Sequence, residues 1–144
     1  MHILSIETSC DETSLALVEA KGGIRKPEFK IQKHLIASQI ETHRPWGGVV
    51  PNLAKREHAK NLPVLFGKIF GISKSKFLIS KQIQKSKIQK IDLIAVTVGP
   101  GLEPCLWQGI DFAKQLTKNF QLSTNNLVGV NHLHGHMYSF LLAQ

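Results

Sequence analysis

The sequence contains few cysteines and no long apolar run. Only two cysteines occur among its 144 residues, Cys10 and Cys105, which is too few for a disulfide framework and favours reduced thiols in a cytosolic protein. No apolar run approaches the roughly 18 residues that a membrane-spanning helix needs. The apolar start of the chain is interrupted at once by Glu7, unlike an export signal. The sequence therefore predicts a soluble, cytoplasmic protein.

Acidic residues are also scarce. The chain has 10 Asp and Glu against 18 Lys and Arg, which gives a formal charge of +8. This excess favours a polyanionic partner, such as nucleic acid or an acidic subunit. Alternatively, much of the charge belongs to a solvated Lys-rich insert near residues 71–90, which has low complexity and no aromatic residue beyond Phe77 to stack on a base.

The first part of the chain predicts three strands. A chain of 144 residues has the size of one domain, so we treat residues 1–144 as a unit. A polar turn from Glu7 to Glu12 separates the first two strands and makes them a hairpin. In the third strand, Ile31, Leu35 and Ile36 are the expected core residues. The predicted strands are His2–Ile6, Thr13–Glu19 and Phe29–Ser38.

The rest of the chain predicts two helices and two further strands. An apolar stripe indicates a helix over residues 52–70, which Pro63 should kink or split in two. The apolar run from Ile91 to Val98 is typical of a strand buried on both faces. It ends in a glycine turn before a helix that starts at about Glu103, and a second buried strand covers residues 127–130. This order implies a right-handed parallel crossover, so the fold class is α/β, with an antiparallel hairpin beside parallel strands.

Polar loops follow three of the predicted strands, where ligands collect in open α/β sheets. The first, from Glu7 to Glu12, is either an ordinary polar turn or a site of hydroxyl and acidic groups. The second, Gly99-Pro100-Gly101, precedes a helix and suits an anion or a nucleotide. The third contains His132 and His136, four residues apart. If a helix begins by His132, both rings share one face and can converge on one cation.

Four segments resemble, in order and spacing, the N-terminal half of the TsaD family, formerly called Gcp or O-sialoglycoprotein endopeptidase. The resemblance covers nearly the whole chain apart from the Lys-rich insert. It implies an actin/Hsp70/sugar-kinase-like (ASKHA, ribonuclease H-like) N-terminal lobe with a mixed sheet flanked by helices, and the second lobe of the family is absent from this sequence. The segments are Ile6 to Thr13, Gly47 to Pro51, Thr97 to Leu102 and Val130 to His136.

The resemblance also implies a function. Members of the family are tRNA N6-adenosine threonylcarbamoyltransferases, which move a threonylcarbamoyl group from threonylcarbamoyl-AMP to N6 of the adenosine beside the anticodon, in tRNAs that read codons beginning with A. The implied cofactor is one divalent metal ion, iron by resemblance, with zinc or magnesium as alternatives. The implied partners are tRNA, an ASKHA-fold partner subunit and an accessory ATPase.

The resemblance also implies site residues, at the positions of this sequence that match the family's motifs. The metal pair would be His132 and His136, the catalytic carboxylates Asp11 and Glu12, and the substrate and nucleotide contacts Ser9, Gly99 and Gly101. His134 belongs to a different helical face and is expected at the surface. Two ligands do not complete a metal site, so we expect the isolated chain to be inactive.

Two other function classes are considered. A non-catalytic or truncated scaffold subunit of the modification complex is the alternative, although shorter relatives with that role generally lack the histidine pair. A zinc peptidase is disfavoured, because its helix needs Glu directly after the first His and this chain has Leu133 there.

Overall fold

A mixed five-stranded sheet forms the centre of the fold. The computed structural model describes residues 1–23, 25–72 and 91–142, and its strand order is β3-β2-β1-β4-β5. Strands β1, β2 and β3 are consecutive and antiparallel, whereas β4 and β5 run parallel to β1. The predicted hairpin and parallel crossover are confirmed. The strands are His2–Glu7 (β1), Glu12–Lys21 (β2), Glu28–Ser38 (β3), Leu93–Gly99 (β4) and Leu127–Asn131 (β5).

The helices lie between and after these strands. A short helix and a 3-10 turn follow β3, and the two long helices precede and follow β4. The last helix starts at His132, directly after β5, as the histidine spacing predicts. The helices are Ile40–His43 (α1), Pro51–Phe70 (α2), Glu103–Asn119 (α3) and His132–Tyr138 (α4), with 3-10 turns at Arg44–Trp46, Thr124–Asn126 and Ser139–Leu142.

Helix α2 runs unbroken through Pro63, so the predicted split is wrong. Proline removes one helical hydrogen bond, at a cost of about 3 kcal/mol in a helix interior. Burial of the surrounding residues offsets this cost, since Leu62 is 1% and Phe66 0% exposed. The helix ends at Gly71, whose φ of 66° is the left-handed C-cap conformation that glycine favours.

The core lies between one face of the sheet and helices α2 and α3. Leu4 and Ile6 of β1 contribute to it, together with Leu15 of β2 and Ile94 of β4. The aromatic ring of Phe66 packs against Phe70 at a centroid distance of 4.7 Å and against Phe112 and Phe120 at 6.0 Å each. This aromatic cluster joins α2 to α3 and to Phe120, the residue that follows the last turn of α3.

Three predictions of burial are wrong. In β3, Ile31 is 43% and Ile36 52% exposed, and of the three expected core residues only Leu35 packs against the core. In β5, Val128 is 42% exposed, and in β4 Val98 is 49% exposed. These residues are exposed for two reasons. The strands β3 and β5 lie at the edges of the sheet, and the long helices cover only one of its faces. The predicted insert near residues 71–90 lies, from residue 73 on, outside the described residues.

Candidate functional site at the ends of the parallel strands

The three parallel strands end at one edge of the sheet, and their loops contact one another there. The loop after β1 accepts a backbone hydrogen bond at Ser9 O from Leu102 N, at 2.7 Å. A β-carbon on Gly101 would lie 2.7 Å from the same carbonyl oxygen, so only glycine allows this approach. The three predicted loops therefore form one site, with α4 as its third wall.

The histidines of α4 face each other across a short gap. His132 Nε2 and His136 Nε2 are 3.1 Å apart, and their ring planes are inclined at 84°. The helix starts where it does because Asn131 caps it, with its side-chain oxygen accepting hydrogen bonds from Leu133 N and His134 N. His134 is exposed and its ring lies near Tyr138, away from the pair.

The distance between the two ring nitrogens fits a shared cation. Two imidazole nitrogens that bind one ion at about 2.0–2.1 Å lie roughly 3.0–3.4 Å apart. Across residues 1–23, 25–72 and 91–142, no cluster of three or more His, Cys, Asp or Glu is placed to hold a metal ion. Within the described residues, the two histidines are therefore the only members of this group of possible ligands, and an ion held between them would need further ligands from elsewhere.

Glu7, which sequence reasoning did not select, joins the first loop to the histidines. Its Oε2 lies 3.2 Å from His132 Nδ1 and accepts a hydrogen bond from Thr97 Oγ1 at 2.5 Å. Its Oε1 accepts from Ser9 N, also at 2.5 Å. Partial burial raises the pKa of the Glu7 carboxyl, but the hydrogen bonds from Ser9, Thr97 and His132 outweigh burial and leave the pKa below its usual value. Glu7 was already predicted as the first residue of the polar loop, whereas the structure places it at the end of β1.

Ser9 is a second contact of the histidine pair. Its Oγ lies 3.3 Å from His132 Nδ1, and the residue is 6% exposed. Gly99, at the end of β4, has a φ of +154° and nothing within 4 Å of where a β-carbon would stand. A ligand can therefore approach the backbone at Gly99, whereas the Leu102 amide at the start of α3 is already donated to Ser9 O.

Asp11 and Glu12 lie in the same loop but do not contact the histidines. Among the residues that the structure describes, neither carboxylate is hydrogen-bonded or ion-paired to His132 or His136. Asp11 is half-buried and its carbonyl oxygen accepts from Gln39 N at 3.0 Å. Glu12 is exposed and pairs with Ser38 in the sheet.

A buried polar network on the core side supports the first loop, Glu7 to Glu12. His58, on α2, is 0% exposed, and its Nε2 donates to Cys10 O at 3.0 Å while its Nδ1 lies 2.8 Å from Thr13 Oγ1. Gln39 contacts His58 and, through Oε1, accepts from His43 Nε2 at 3.0 Å. Burial lowers the pKa of the His58 imidazole, so this histidine is held neutral. The network therefore fixes the backbone at Cys10 and Asp11.

None of the helices in the described part of the chain is both long and apolar enough to cross a membrane.

The chain is similar to known proteins over nearly its whole length. The family model described as TsaD, tRNA N6-adenosine threonylcarbamoyltransferase, matches residues 30–144. A relative of that name from Fervidobacterium nodosum is 45% identical over 143 residues, and one from Prochlorococcus marinus subsp. pastoris is 42% identical over 147 residues. These matches cover 99% and 100% of this chain, but the chain spans only about 36% of the length of either relative.

A solved structure supports the fold. The chain resembles YeaZ from Pseudomonas aeruginosa with a TM-score of 0.51 and 17% identity, over 96% of this chain and 48% of that one. At that identity the likeness concerns the fold alone, an α/β fold with a mixed sheet and flanking helices. With the family model matching most of the sequence and relatives at 42–45% identity over all of it, the chain belongs to the TsaD family.

Proposed function

We propose that this chain carries the histidine pair and the first loop of a tRNA N6-adenosine threonylcarbamoyltransferase. The reaction would move threonylcarbamoyl from threonylcarbamoyl-AMP to N6 of the adenosine beside the anticodon, in tRNAs that read codons beginning with A. The observation that carries the proposal is the convergence of His132 and His136, with ring nitrogens 3.1 Å apart, beside a first loop that contains the family's acidic residues.

His132 and His136 would hold one divalent metal ion, iron by family resemblance, with zinc or magnesium as alternatives. When bound, such an ion would polarise or orient the adenylate as a Lewis acid. The role of this chain's own residues is to present two neutral imidazole nitrogens at the correct separation and to hold them there through α4.

The transfer also requires removal of a proton. A bond forms between the N6 nitrogen and the carbamoyl carbon, the bond from that carbon to the adenylate oxygen breaks, and AMP leaves. The N6 nitrogen then loses a proton, which a nearby carboxylate can accept. Asp11 and Glu12 would supply this carboxylate, and Asp11 is the better fixed of the two, because Gln39 and His58 bind its loop from within the core.

The remaining predicted contacts surround the same loop. Ser9 and Gly101 touch each other, and Gly99 leaves open space above the backbone. We propose that these three residues face the nucleotide part of the substrate. A cytoplasmic location and the partners tRNA, an ASKHA-fold subunit and an accessory ATPase follow from the same proposal, and the +8 charge of the chain supports a polyanionic substrate.

A non-catalytic scaffold subunit is the second candidate. It is favoured by one observation, that the described residues cluster only two metal ligands. The two candidates differ in metal binding, because a scaffold would form a tight heterodimer without needing the histidine pair.

Zn²⁺ titration of the purified chain tests the proposal. We expect the wild-type chain to bind the ion and the double variant His132→Ala with His136→Ala to lose that binding. The control is His134→Ala, which changes a histidine of the same helix on its other face, and it should bind as the wild type does. Equal Zn²⁺ binding by the double variant would contradict the metal pair, and tight heterodimer formation with no metal binding would favour the scaffold.

A further inference from the structure

Glu7 is the last residue of β1, and its carboxylate contacts the loop after β1, strand β4 and helix α4. Its carboxylate accepts hydrogen bonds from Ser9 N of that loop and from Thr97 Oγ1 of β4, at 2.5 Å each, and lies 3.2 Å from His132 Nδ1 of α4. Neither oxygen is left without a contact. The side chain is 33% exposed and that of His132 is 29% exposed, so the contact lies at the mouth of the site rather than in bulk solvent.

These contacts decide which ring nitrogen of His132 carries its proton. An ionised carboxylate accepts hydrogen bonds and donates none. Ser9 N and Thr97 Oγ1 fix the two oxygens in place, so the group facing Oε2 from α4 must be a donor. In a neutral imidazole only one nitrogen has a proton. With the proton on Nδ1, the lone pair is on Nε2, the atom that faces His136 Nε2 at 3.1 Å.

Ser9 Oγ adds to this arrangement. It lies 3.3 Å from the same Nδ1 and, as a hydroxyl, accepts or donates as its neighbour requires. It therefore tolerates either tautomer, whereas the carboxylate tolerates only the one with the proton on Nδ1. The selection of the tautomer comes from Glu7.

We propose that Glu7 is a positioning residue that holds His132 in the tautomer and orientation needed to bind a metal ion through Nε2. A carboxylate that receives the second N–H of a ligating histidine fixes its ring and raises its basicity. Thr97 takes part by holding the carboxylate. This inference rests on the proposed function for its biological meaning, but the tautomer itself is a property of the metal-free chain.

The first arm of the test needs no metal. Long-range proton–nitrogen NMR correlations of the ¹⁵N-labelled chain report which nitrogen of His132 is protonated. We expect the proton on Nδ1 in the wild type and a shift towards the other tautomer in Glu7→Gln, since an amide has one acceptor oxygen for three donors and adds N–H groups of its own. The matched control is Glu41→Gln, the same change at a carboxylate that is 76% exposed and paired with Arg44.

The second arm measures Zn²⁺ affinity of the same proteins. Loss of such an outer partner typically costs about 10–100-fold in metal affinity, and we expect that loss in Glu7→Gln and none in Glu41→Gln. Thr97→Val removes only the hydroxyl that donates to Glu7. It should shift the His132 tautomer and lower the Zn²⁺ affinity in the same directions as Glu7→Gln, but by less. If Glu7→Gln does not fold, the Thr97→Val variant still tests the inference, because it leaves the Glu7 carboxylate in place.

The outcomes separate the two proposals. A wild-type His132 protonated on Nε2, or unchanged tautomer and affinity in Glu7→Gln, would overturn the role of Glu7. A wild-type chain with the Nδ1 proton that binds no Zn²⁺ would support Glu7 as the residue that selects the tautomer and would instead contradict the metal pair. If Glu41→Gln lost as much Zn²⁺ affinity as Glu7→Gln, the inference would also be overturned, because the loss would then follow from the change in net charge.

Discussion

His58 shows how a single residue beneath the site controls the loop above it. The imidazole is fully buried and donates to the carbonyl oxygen of Cys10, one residue before Asp11. The sequence places this histidine within a helix, but the pattern alone does not show that it turns inward, because a lone polar residue in a helix more often faces solvent. Only the three-dimensional contact with Thr13 and Gln39 shows that His58 belongs to the support of the site.

The lowered pKa of His58 predicts a loss of stability in mild acid. The folded protein holds this imidazole neutral, whereas the unfolded chain protonates it near its usual value of about 6.5. Its contribution is therefore fully present above that pH and is lost as the pH falls towards the lower folded pKa. We expect the free energy of unfolding, measured with urea, to fall more steeply between pH 7.5 and 5.5 in the wild type than in His58→Gln.

The comparison of slopes isolates His58, because all other histidines are retained in the variant. Glu7 and Asp11 are the nearest acids that oppose the shift and His43 is the nearest base that adds to it, and all three are retained in the variant. Equal pH dependence in the two proteins would show that the His58 imidazole is not held neutral in the folded chain.

At the residue scale the sequence predicted the histidine pair but not its supports. The i, i+4 spacing was sufficient because a helix starting at His132 places both rings on one face, and Asn131 caps the helix at that point. Glu7 and Thr97 could not be predicted in the same way. They are 90 residues apart in sequence, and only the parallel pairing of β1 with β4 brings their side chains together.

At the scale of elements, the apolar patterns predicted the strands and helices but not which faces are covered. The third strand was predicted with Ile36 in the core, yet in β3 this residue is on the opposite side of the sheet from Leu35, which packs against the core. The same holds for Val128 in β5. A sequence pattern states that a residue is apolar, whereas its burial depends on the strand order, which put β3 and β5 at the edges.

Helix α2 was predicted over residues 52–70, which matches the observed Pro51–Phe70, but Pro63 was expected to kink it or split it in two. The cost of an internal proline is local, and the burial that offsets it comes from contacts with α3 and the sheet that a local rule does not include. Leu62, Leu65, Phe66 and Ile69 are all at most 5% exposed. The tertiary packing of the second half of α2 therefore overrides the local preference.

Phe66 tests whether this packing holds the two long helices together. It is 0% exposed and its ring contacts Phe70, Phe112 and Phe120. We expect Phe66→Ala to lower the free energy of unfolding by about 3–5 kcal/mol, the usual cost of such a cavity. Urea denaturation monitored by circular dichroism measures it.

Phe140→Ala is the matched control, because this phenylalanine is 65% exposed. Its free energy of unfolding should stay within about 0.5 kcal/mol of the wild type. A Phe66→Ala variant that matched this control would contradict a core organised around the contact between α2 and α3.

At the scale of the whole molecule, the candidate site consists of the loops that follow three parallel strands and a pair of facing histidines on α4. The chain corresponds to about 36% of the length of its relatives, and the transfer reaction requires a tRNA, an adenylate and a complete coordination shell. We propose that this chain supplies the histidine pair, the carboxylates of the first loop and the glycine turn, and that the other groups of the active site belong to the rest of a family enzyme.

A chimera tests this assignment most directly. The segment of the Fervidobacterium nodosum relative that matches this chain, at 45% identity, would be replaced by the present sequence, and transfer of threonylcarbamoyl to tRNA would be measured with the partners of that enzyme. We predict transfer by the chimera and by its His134→Ala variant, and none by the variant in which His132 and His136 are both alanine. Full transfer by that double variant would contradict the central claim that the two histidines of this chain form part of a threonylcarbamoyltransferase active site.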